Sequence, residues 1–236
     1  MGTIHSADFQ LVVKSKKKFQ VLPVWFLLPL YLFAPLLLSG QTSDFGNWMS
    51  YMFSGKFNDR WAIVGDYQWR NYNAFTDLQQ VMFRNFIQYS FSDKVSIAAG
   101  YAIAINGLYL DDGKEYLSEN RPTQQLMLRS LRERSLLSLR VRAEQRFIES
   151  DPMRFRFRVF GSVLHYFSKT SGWAVTASEE IFWYADGITF DQNRVFIGLS
   201  YRFNERLRIE TGDLVILKKS GMRQQLFTQL VHTFNW

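Results

Sequence analysis

The chain has no cysteine and few histidines, and both shortages restrict its chemistry. Without cysteine, a disulfide framework, a thiolate metal site and a cysteine nucleophile are all excluded. The three histidines, His5, His165 and His232, stand far apart in the sequence. No His-Glu-x-x-His motif, metal-spaced cluster or glycine-rich phosphate loop accompanies them. We therefore expect no cofactor, no metal site and no enzyme of a recognisable class.

Only one long apolar run exists, and a mean hydropathy of −0.15 is too polar for a bundle of membrane helices. The run covers residues 21–38, follows a lysine-rich stretch at 14–18 and ends beside Ser39 and Gly40. A basic segment, an apolar core and small residues predict a secretory signal peptide over residues 1–40, cleaved near Gly40. The alternative is an uncleaved membrane anchor, because the run nearly spans a bilayer. Three prolines within the run argue against a regular anchor helix.

Excess positive charge is modest once the predicted signal peptide is removed. The full chain carries a formal charge of +7, and residues 1–40 account for +3 of it through four lysines and Asp8. The mature chain is then +7 − 3 = +4, which gives little support to a nucleic-acid partner.

Helical periodicity is lacking over long stretches of residues 41–236, where side chains alternate between two chemical kinds. Leu137, Leu139 and Val141, for example, interleave with polar and charged neighbours. Alternation at a period of two predicts strands with two different faces. Most runs have ten to fifteen residues, enough for a tilted strand to cross a bilayer. The eleven candidate strands are 46–57, 61–70, 77–91, 95–106, 121–131, 136–147, 154–163, 173–184, 194–203, 206–217 and 223–236.

The connections between these runs alternate in size. Short turns lie near 58–59, 92–93, 132–133, 168–170 and 204–205, and the longest link is 107–119. Short turns on one side and longer loops on the other are typical of outer-membrane barrels, whose short side is periplasmic. Bacterial single-chain barrels have an even strand count. We therefore predict an all-β, transmembrane, antiparallel up-and-down barrel of ten or twelve strands over residues 41–236, with the first run the least regular.

A membrane barrel and a soluble barrel differ in which face points outward. In a soluble barrel the arginines at 154, 156 and 158 would face water and the aromatic side chains opposite would form the core. Long strands, one-sided turns and an export signal favour the inverse, with aromatic side chains facing lipid in the bacterial outer membrane. Phe234 and Trp236 at the chain end would then be the signal read by the barrel-insertion machinery.

The strand face that would point into the membrane barrel is rich in arginine. Two interpretations stay open: a lumen filled by an ion-paired network, or a narrow channel or pocket that attracts a small anionic solute. Residues 140, 142, 146, 154, 156 and 158 would be the key arginines in the second case. The predicted lumen residues are Asp66, Arg70, Arg84, Arg129, Arg140, Arg142, Glu144, Arg146, Arg154, Arg156, Arg158, Glu180, Arg202, Arg208 and Glu210.

A barrel-wall enzyme, such as a lipid hydrolase, is the alternative to a channel or structural barrel. It would need a serine beside His165, and Ser162 and Ser168 are the nearby choices. Ser168 falls in a predicted turn and Ser162 on the opposite strand face, so we interpret His165 as an interfacial histidine.

Several segments resemble the domain-of-unknown-function 2490 family of bacterial outer-membrane proteins. The similar residues are DFGNWMSYMFSGKFNDRWAIVGDYQWRNYNAF at 44–75, ENRPTQQ at 119–125, RAEQRFIE at 142–149 and NRVFIGLSYRFNERLRIETG at 193–212. The resemblance implies an outer-membrane β-barrel. It carries no known activity, so it assigns no catalytic residue.

Overall fold

The computed structural model describes residues 45–235. The predicted signal peptide, its cleavage near Gly40 and the terminal Trp236 lie outside these residues. Within 45–235, no helix is long and apolar enough to cross a membrane.

Eleven strands form one closed barrel, in which every strand pairs with its neighbours in sequence. All eleven runs with alternating side chains are strands, so the all-β barrel prediction is confirmed. The strands are β1 (Gly46–Lys56), β2 (Trp61–Asn71), β3 (Leu78–Ser90), β4 (Val95–Leu110), β5 (Gly113–Arg132), β6 (Ser135–Ile148), β7 (Arg154–Tyr166), β8 (Trp173–Tyr184), β9 (Thr189–Arg202), β10 (Leu207–Lys218) and β11 (Gly221–Asn235).

The predicted count of ten or twelve strands is wrong, because β1 is a regular member of the barrel. Hairpins reverse the chain at every step, so an odd number of strands leaves the first and last pointing the same way. β1 and β11 accordingly close the barrel as a parallel pair, in register from Gly46 opposite Gln225 to Lys56 opposite Asn235. All other pairings are antiparallel.

The barrel has two rims, named here by the end of the described chain that lies at each. The carboxy-terminal rim holds the turns at 57–60, 91–94, 133–134, 167–172 and 203–206, where β11 ends. The amino-terminal rim holds the connections at 72–77, 111–112, 149–153, 185–188 and 219–220, where β1 begins.

The longest predicted loop, 107–119, is mostly strand. β4 and β5 stay paired from Val95 opposite Leu128 out to Leu110 opposite Gly113, so the link is an extended hairpin with a tight turn at 111–112. The charged residues of this segment predict a loop because charged side chains normally interrupt a buried strand. Backbone pairing continues out to the turn because the two strands satisfy each other's N–H and C=O groups.

Three turns of the carboxy-terminal rim, 57–60, 91–94 and 203–206, share one hydrogen-bond pattern. Each has the sequence of a phenylalanine, two polar residues and a cation. The Phe57 N–H donates to the Trp61 carbonyl at 2.9 Å, and the Phe203 N–H donates to the Leu207 carbonyl at 3.0 Å. The Asn204 side-chain oxygen accepts from two backbone N–H groups of its own turn, at 2.8 and 2.9 Å. An Asn side chain that imitates a backbone turn in this way fixes the hairpin.

The two faces of the wall differ in chemistry as the alternation predicts. Outward side chains are largely apolar and exposed, such as Ile103 at 54% and Leu139 at 42%. Inward side chains are polar and buried, such as Arg142 at 3% exposure and Glu144 at 0%. This barrel has an apolar exterior and buried charged groups, which is the reverse of the distribution in a soluble globular protein.

Candidate functional site in the barrel lumen

Glu144 on β6 is the centre of the lumen's ion-pair network. Its carboxylate accepts from Arg156 on β7 at 2.6 Å and from Arg158 at 2.6 Å. Arg84 on β3 and Arg121 on β5 approach the same carboxylate, at 3.7 and 3.8 Å. Four cations from three strands therefore converge on one side chain with no solvent exposure.

The neighbouring acids extend this network around the barrel. Asp66 on β2 holds Arg84 in a bidentate pair at 2.7 and 2.8 Å. Glu180 on β8 binds Arg158 through both oxygens, at 3.0 and 2.8 Å, and Arg140 at 2.7 Å. Planar guanidinium groups can serve two carboxylates at once, which is how Arg84 and Arg158 join these pairs to Glu144.

The predicted lumen residues fall into three groups. Asp66, Arg84, Arg140, Glu144, Arg156, Arg158 and Glu180 form the connected network, and Arg146 joins Glu119 beside it. Arg208 and Glu210 form a separate pair at 3.0 Å near the carboxy-terminal rim, and Arg154 lies 3.9 Å from Asp186 at the other rim. The third group comprises Arg70, Arg129, Arg142 and Arg202. Within residues 45–235, no carboxylate lies within ion-pair distance of Arg70 or Arg142. Arg129 is exposed, and the Arg202 guanidinium lies over the Tyr166 ring, 4.8 Å from its centroid.

The sequence prediction missed several inward charges. Glu119 on β5 is fully buried and binds Arg146 at 2.6 and 3.1 Å and Arg121 at 2.7 Å. Extending the β5 alternation back from Arg129 would have reached both Arg121 and Glu119. Asp191, which binds Arg156 at 3.0 Å, could not be found in this way. It is the unpaired residue at the register shift of the β8–β9 pairing, so the alternation of β9 does not give its face.

Some lumen arginines lie against aromatic rings, with no acid within ion-pair distance in residues 45–235. Arg70 stacks on Trp48, 3.5 Å from the ring centroid, and Arg194 on β9 lies 4.9 Å from the same ring. Arg142 lies 5.2 Å from the Phe86 ring and donates to Gln125 at 2.6 Å. The key group predicted for an anion path, residues 140–158, is mostly neutralised by acids, whereas Arg70 and Arg194 are not.

An apolar cluster occupies the opposite side of the lumen from the ion pairs. Trp48 packs with Phe196, Leu214 and Ile216, and Phe227 meets the indole edge-on at 5.4 Å between centroids. The lumen is therefore asymmetric, with β9, β10, β11 and β1 supplying apolar side chains and β2 to β8 supplying most of the charge.

The predicted insertion signal is described only at Phe234. Its ring lies against Gly55 of β1, where an added Cβ would come within 2.3 Å of a ring carbon. It also stacks on Phe53 at 6.2 Å between centroids. Phe234 therefore lies on the outer wall across the parallel seam.

His165 does not meet either serine proposed for it. Ser162 lies opposite Ser138 on the lumen face, and the Ser168 hydroxyl lies 3.3 Å from that of Thr170 in a turn. Instead, Ser135 on β6 lies 2.8 Å from His165 Nδ1 on the outer wall. Among residues 45–235, no carboxylate or amide side chain hydrogen-bonds to the ring to orient it, and no cluster of three metal-ligating side chains occurs.

Polar residues on the outer wall are paired across strands. Gln124 and Gln145, for instance, exchange amide hydrogen bonds at 3.0 and 3.4 Å. Such pairing satisfies donors and acceptors that point away from the lumen. Further outward pairs are Tyr101–Asn120 at 3.0 Å, Glu179–Asn193 at 2.9 Å, Asp213–Gln224 at 2.9 Å and Thr211–Thr228 at 3.1 Å.

At the amino-terminal rim, Asp77 ties the 72–77 connection to the β4–β5 hairpin. The Lys114 ammonium donates to one carboxylate oxygen, and the Tyr109 hydroxyl donates to the other at 2.6 Å. These two bonds hold the pKa of the Asp77 carboxyl below its ordinary value of 3.8. The same contact raises the pKa of Lys114.

Asp77→Asn is expected to loosen this connection. The backbone of Asp77 is left-handed, with φ of 66°, and Asn tolerates that conformation, so the substitution removes chiefly the charge. Because the folded state depresses the Asp77 pKa, the contact contributes stability above pH 3.8 and loses it as the pH falls through the folded-state value. The Tyr72 N–H, which donates to the Asp77 carbonyl at 2.8 Å, should exchange several-fold faster in the variant at pH 7. This difference should shrink below pH 4; equal protection at pH 7 would contradict the assignment.

Comparison with known proteins identifies a family. A family model described as a protein of unknown function (DUF2490) matches residues 45–225, which covers β1 to β10 and the first five residues of β11. No curated protein matches the chain.

Proposed function

The chain belongs to the DUF2490 family of proteins of unknown function, and from that premise we propose that it is a transmembrane β-barrel of the bacterial outer membrane. A signal peptide over residues 1–40 would deliver it across the inner membrane. Its lumen would serve as a narrow channel that attracts small anions, within a wall stiffened by ion pairs.

The observation that carries this proposal is the inverted distribution of side chains. Charged groups such as Glu144 and Arg156 are buried inside the barrel, whereas Ile103, Leu139 and their outward neighbours are exposed. Water cannot stabilise so large an apolar exterior, and lipid can. Closure also leaves no unpaired strand edge for the hydrocarbon to meet.

Aromatic side chains at the carboxy-terminal rim support a membrane boundary there. Trp61 and Tyr89 pack at 4.9 Å between centroids, and Trp173 and Tyr201 pack at 4.8 Å. Tyr and Trp favour the interface between headgroups and hydrocarbon. We assign this rim to the periplasm, with Phe234 and Trp236 as the segment that the insertion machinery reads and lipid as the partner of the wall.

A narrow path agrees with how the lumen is filled. Small barrels are packed with side chains, and here the Arg84 guanidinium of β3 reaches across to Glu144 of β6 at 3.7 Å. Cations outnumber acids among the inward residues, so the field inside favours anions over cations.

The alternative of a lipid hydrolase has one contact in its favour. Ser135 and His165 lie within hydrogen-bond distance on the outer wall, where a lipid could reach them. A serine nucleophile also needs its histidine oriented by a third group, and none is present among residues 45–235. We therefore favour the channel.

Membrane fractionation combined with a heat-modifiability gel tests the location. We expect the full chain in the outer-membrane fraction, with the unheated barrel migrating differently from the boiled protein. Recovery in the soluble periplasm without a mobility shift would overturn the proposal.

Conductance across a planar bilayer tests the channel separately from the location. With a potassium chloride gradient, the reversal potential should have the sign of anion preference. A folded, membrane-inserted barrel that passes no current, or prefers cations, would leave the location intact and reject the channel.

A further inference from the structure

Two guanidinium groups share one indole ring in the lumen. Trp48 on β1 stands directly opposite Arg70 on β2, and the Arg70 guanidinium carbon lies 3.5 Å from the Trp48 ring centroid. Arg194 comes from β9, three strands away around the closed wall, and lies 4.9 Å from the same centroid. Two like charges are thus held close together, which costs free energy unless something between them is negative.

The acids that could neutralise this pair are already occupied. Glu180 stands directly opposite Arg194 on β8, but its two oxygens bind Arg140 and Arg158. Asp66 is two positions from Gln68 on β2 and is taken up by Arg84. Among residues 45–235, the hydrogen-bond acceptor of the Arg70 side chain is the neutral side-chain oxygen of Gln68.

Three buried N–H groups around the indole have no acceptor among residues 45–235: Nε1 of Trp48, Nε of Arg70 and Nε of Arg194. All three can only donate. Trp48 and Arg70 are 6% and 9% exposed, so bulk water does not serve them. Buried donors are normally satisfied, since each unsatisfied one costs about 1–3 kcal/mol.

A small oxyanion would supply both the missing hydrogen-bond acceptors and the missing negative charge beside the indole. It offers several acceptor oxygens to these donors, and its charge offsets two guanidinium groups; a neutral water offers two lone pairs and no charge. The apolar cluster of Trp48, Phe196, Leu214 and Ile216 lowers the local dielectric and strengthens the attraction.

We propose that Trp48, Arg70 and Arg194 form a binding site for a small oxyanion, of the phosphate or carboxylate class, inside the barrel. This inference rests on the anion-attracting lumen proposed above and names the residues that hold the anion. It places the site on the uncompensated arginines near β1 and β9, away from the neutralised group on β6 and β7.

Calorimetric titration of the refolded, detergent-solubilised barrel with inorganic phosphate tests the site. We expect one site in the native protein and at least a tenfold weaker one in Arg70→Gln and in Arg194→Gln. Trp48→Phe keeps a ring under Arg70 but removes the N–H, so it should weaken binding by a smaller factor. Arg154→Gln is the matched control, because Arg154 also points inward and also lies over a ring, 3.7 Å from the Tyr184 centroid. It should bind within twofold of the native protein.

Each variant is first checked for folding by its heat-modifiability, so that loss of the barrel is not mistaken for loss of the site. Absence of phosphate binding to the folded native barrel would overturn the proposal, as would equal weakening in Arg154→Gln. Loss of the phosphate heat on adding an anionic phospholipid would also overturn it, because the anion would then be a headgroup bound at the surface. Phosphate binding to a barrel that carries no current would reject the channel and leave the site standing.

Discussion

Glu144→Gln is expected to lower the free energy of unfolding of the barrel by about 3–5 kcal/mol, the largest effect of any single lumen substitution. The side chain keeps its size and loses only its charge. Arg156 and Arg158, each 2.6 Å from the carboxylate, would then face one another and Arg84 with no anion between them. Removing one partner from a buried pair is costly because the other charge stays buried.

Urea unfolding in phospholipid vesicles measures this loss. Glu210→Gln is the matched control, since Glu210 is also an inward acid but has one partner, Arg208, at 3.0 Å. It should cost clearly less, because it takes the acid from one cation, whereas Glu144→Gln takes it from four. Combining Glu144→Gln with Arg156→Gln should cost less than the sum of the two, because the second change removes a charge that the first left unpaired. Equal losses at Glu144 and Glu210 would show that Glu144 is not the centre of the network.

The position of Glu144 on the inner face could be predicted from sequence, and its role could not. The alternation in β6 assigns Glu144 to the lumen because a period of two follows from strand geometry alone. Which residues of other strands stand at the same height depends on how far successive strands are staggered around the closed wall. That stagger brings Arg84 of β3, Arg121 of β5 and Arg158 of β7 to one carboxylate, and no local pattern encodes it.

The strand count was predicted wrongly for a different reason. The local alternation of side chains identified every strand, and a general rule about strand number gave the wrong total. Eleven runs alternate in the sequence, and the rule of an even strand number leads to the wrong count of ten or twelve. Gly55 and Phe53 of β1 both contact Phe234, so the first and last runs carry complementary side chains for a parallel seam. Contacts between chain ends are the longest-range contacts in the fold, and a pattern read within one run does not report them.

The anion site was missed because its members differ in what a sequence shows. Arg70 was assigned to the lumen among many arginines, with nothing to mark it as uncompensated. Trp48 falls in the least regular run, and Arg194 is not among the predicted lumen residues. Only the contacts reveal that acids neutralise most of the β6 and β7 arginines, and that Arg70 and Arg194 have no acid within ion-pair distance among residues 45–235.

Ile103→Arg tests whether the exterior faces lipid. Ile103 is 54% exposed on the outer face of β4, opposite Phe83 and well inside the wall. In a bilayer, an arginine on the lipid face near the midplane costs about 2–4 kcal/mol. In a soluble barrel the same change would place a charge in water and alter the free energy of unfolding by about 0.5 kcal/mol or less.

Leu110→Arg provides the matched control for that substitution. It lies on the same strand, is 48% exposed and is also aliphatic, but it adjoins the turn at 111–112 beyond the wall. We expect urea unfolding in vesicles to show a loss of about 2–4 kcal/mol for Ile103→Arg and less than about 1 kcal/mol for Leu110→Arg. Small and equal effects at both positions would mean that water surrounds the apolar wall, and the membrane location would have to be abandoned. A depth-dependent cost arises only where hydrocarbon replaces water, so the difference between these two variants measures the solvent of the barrel directly.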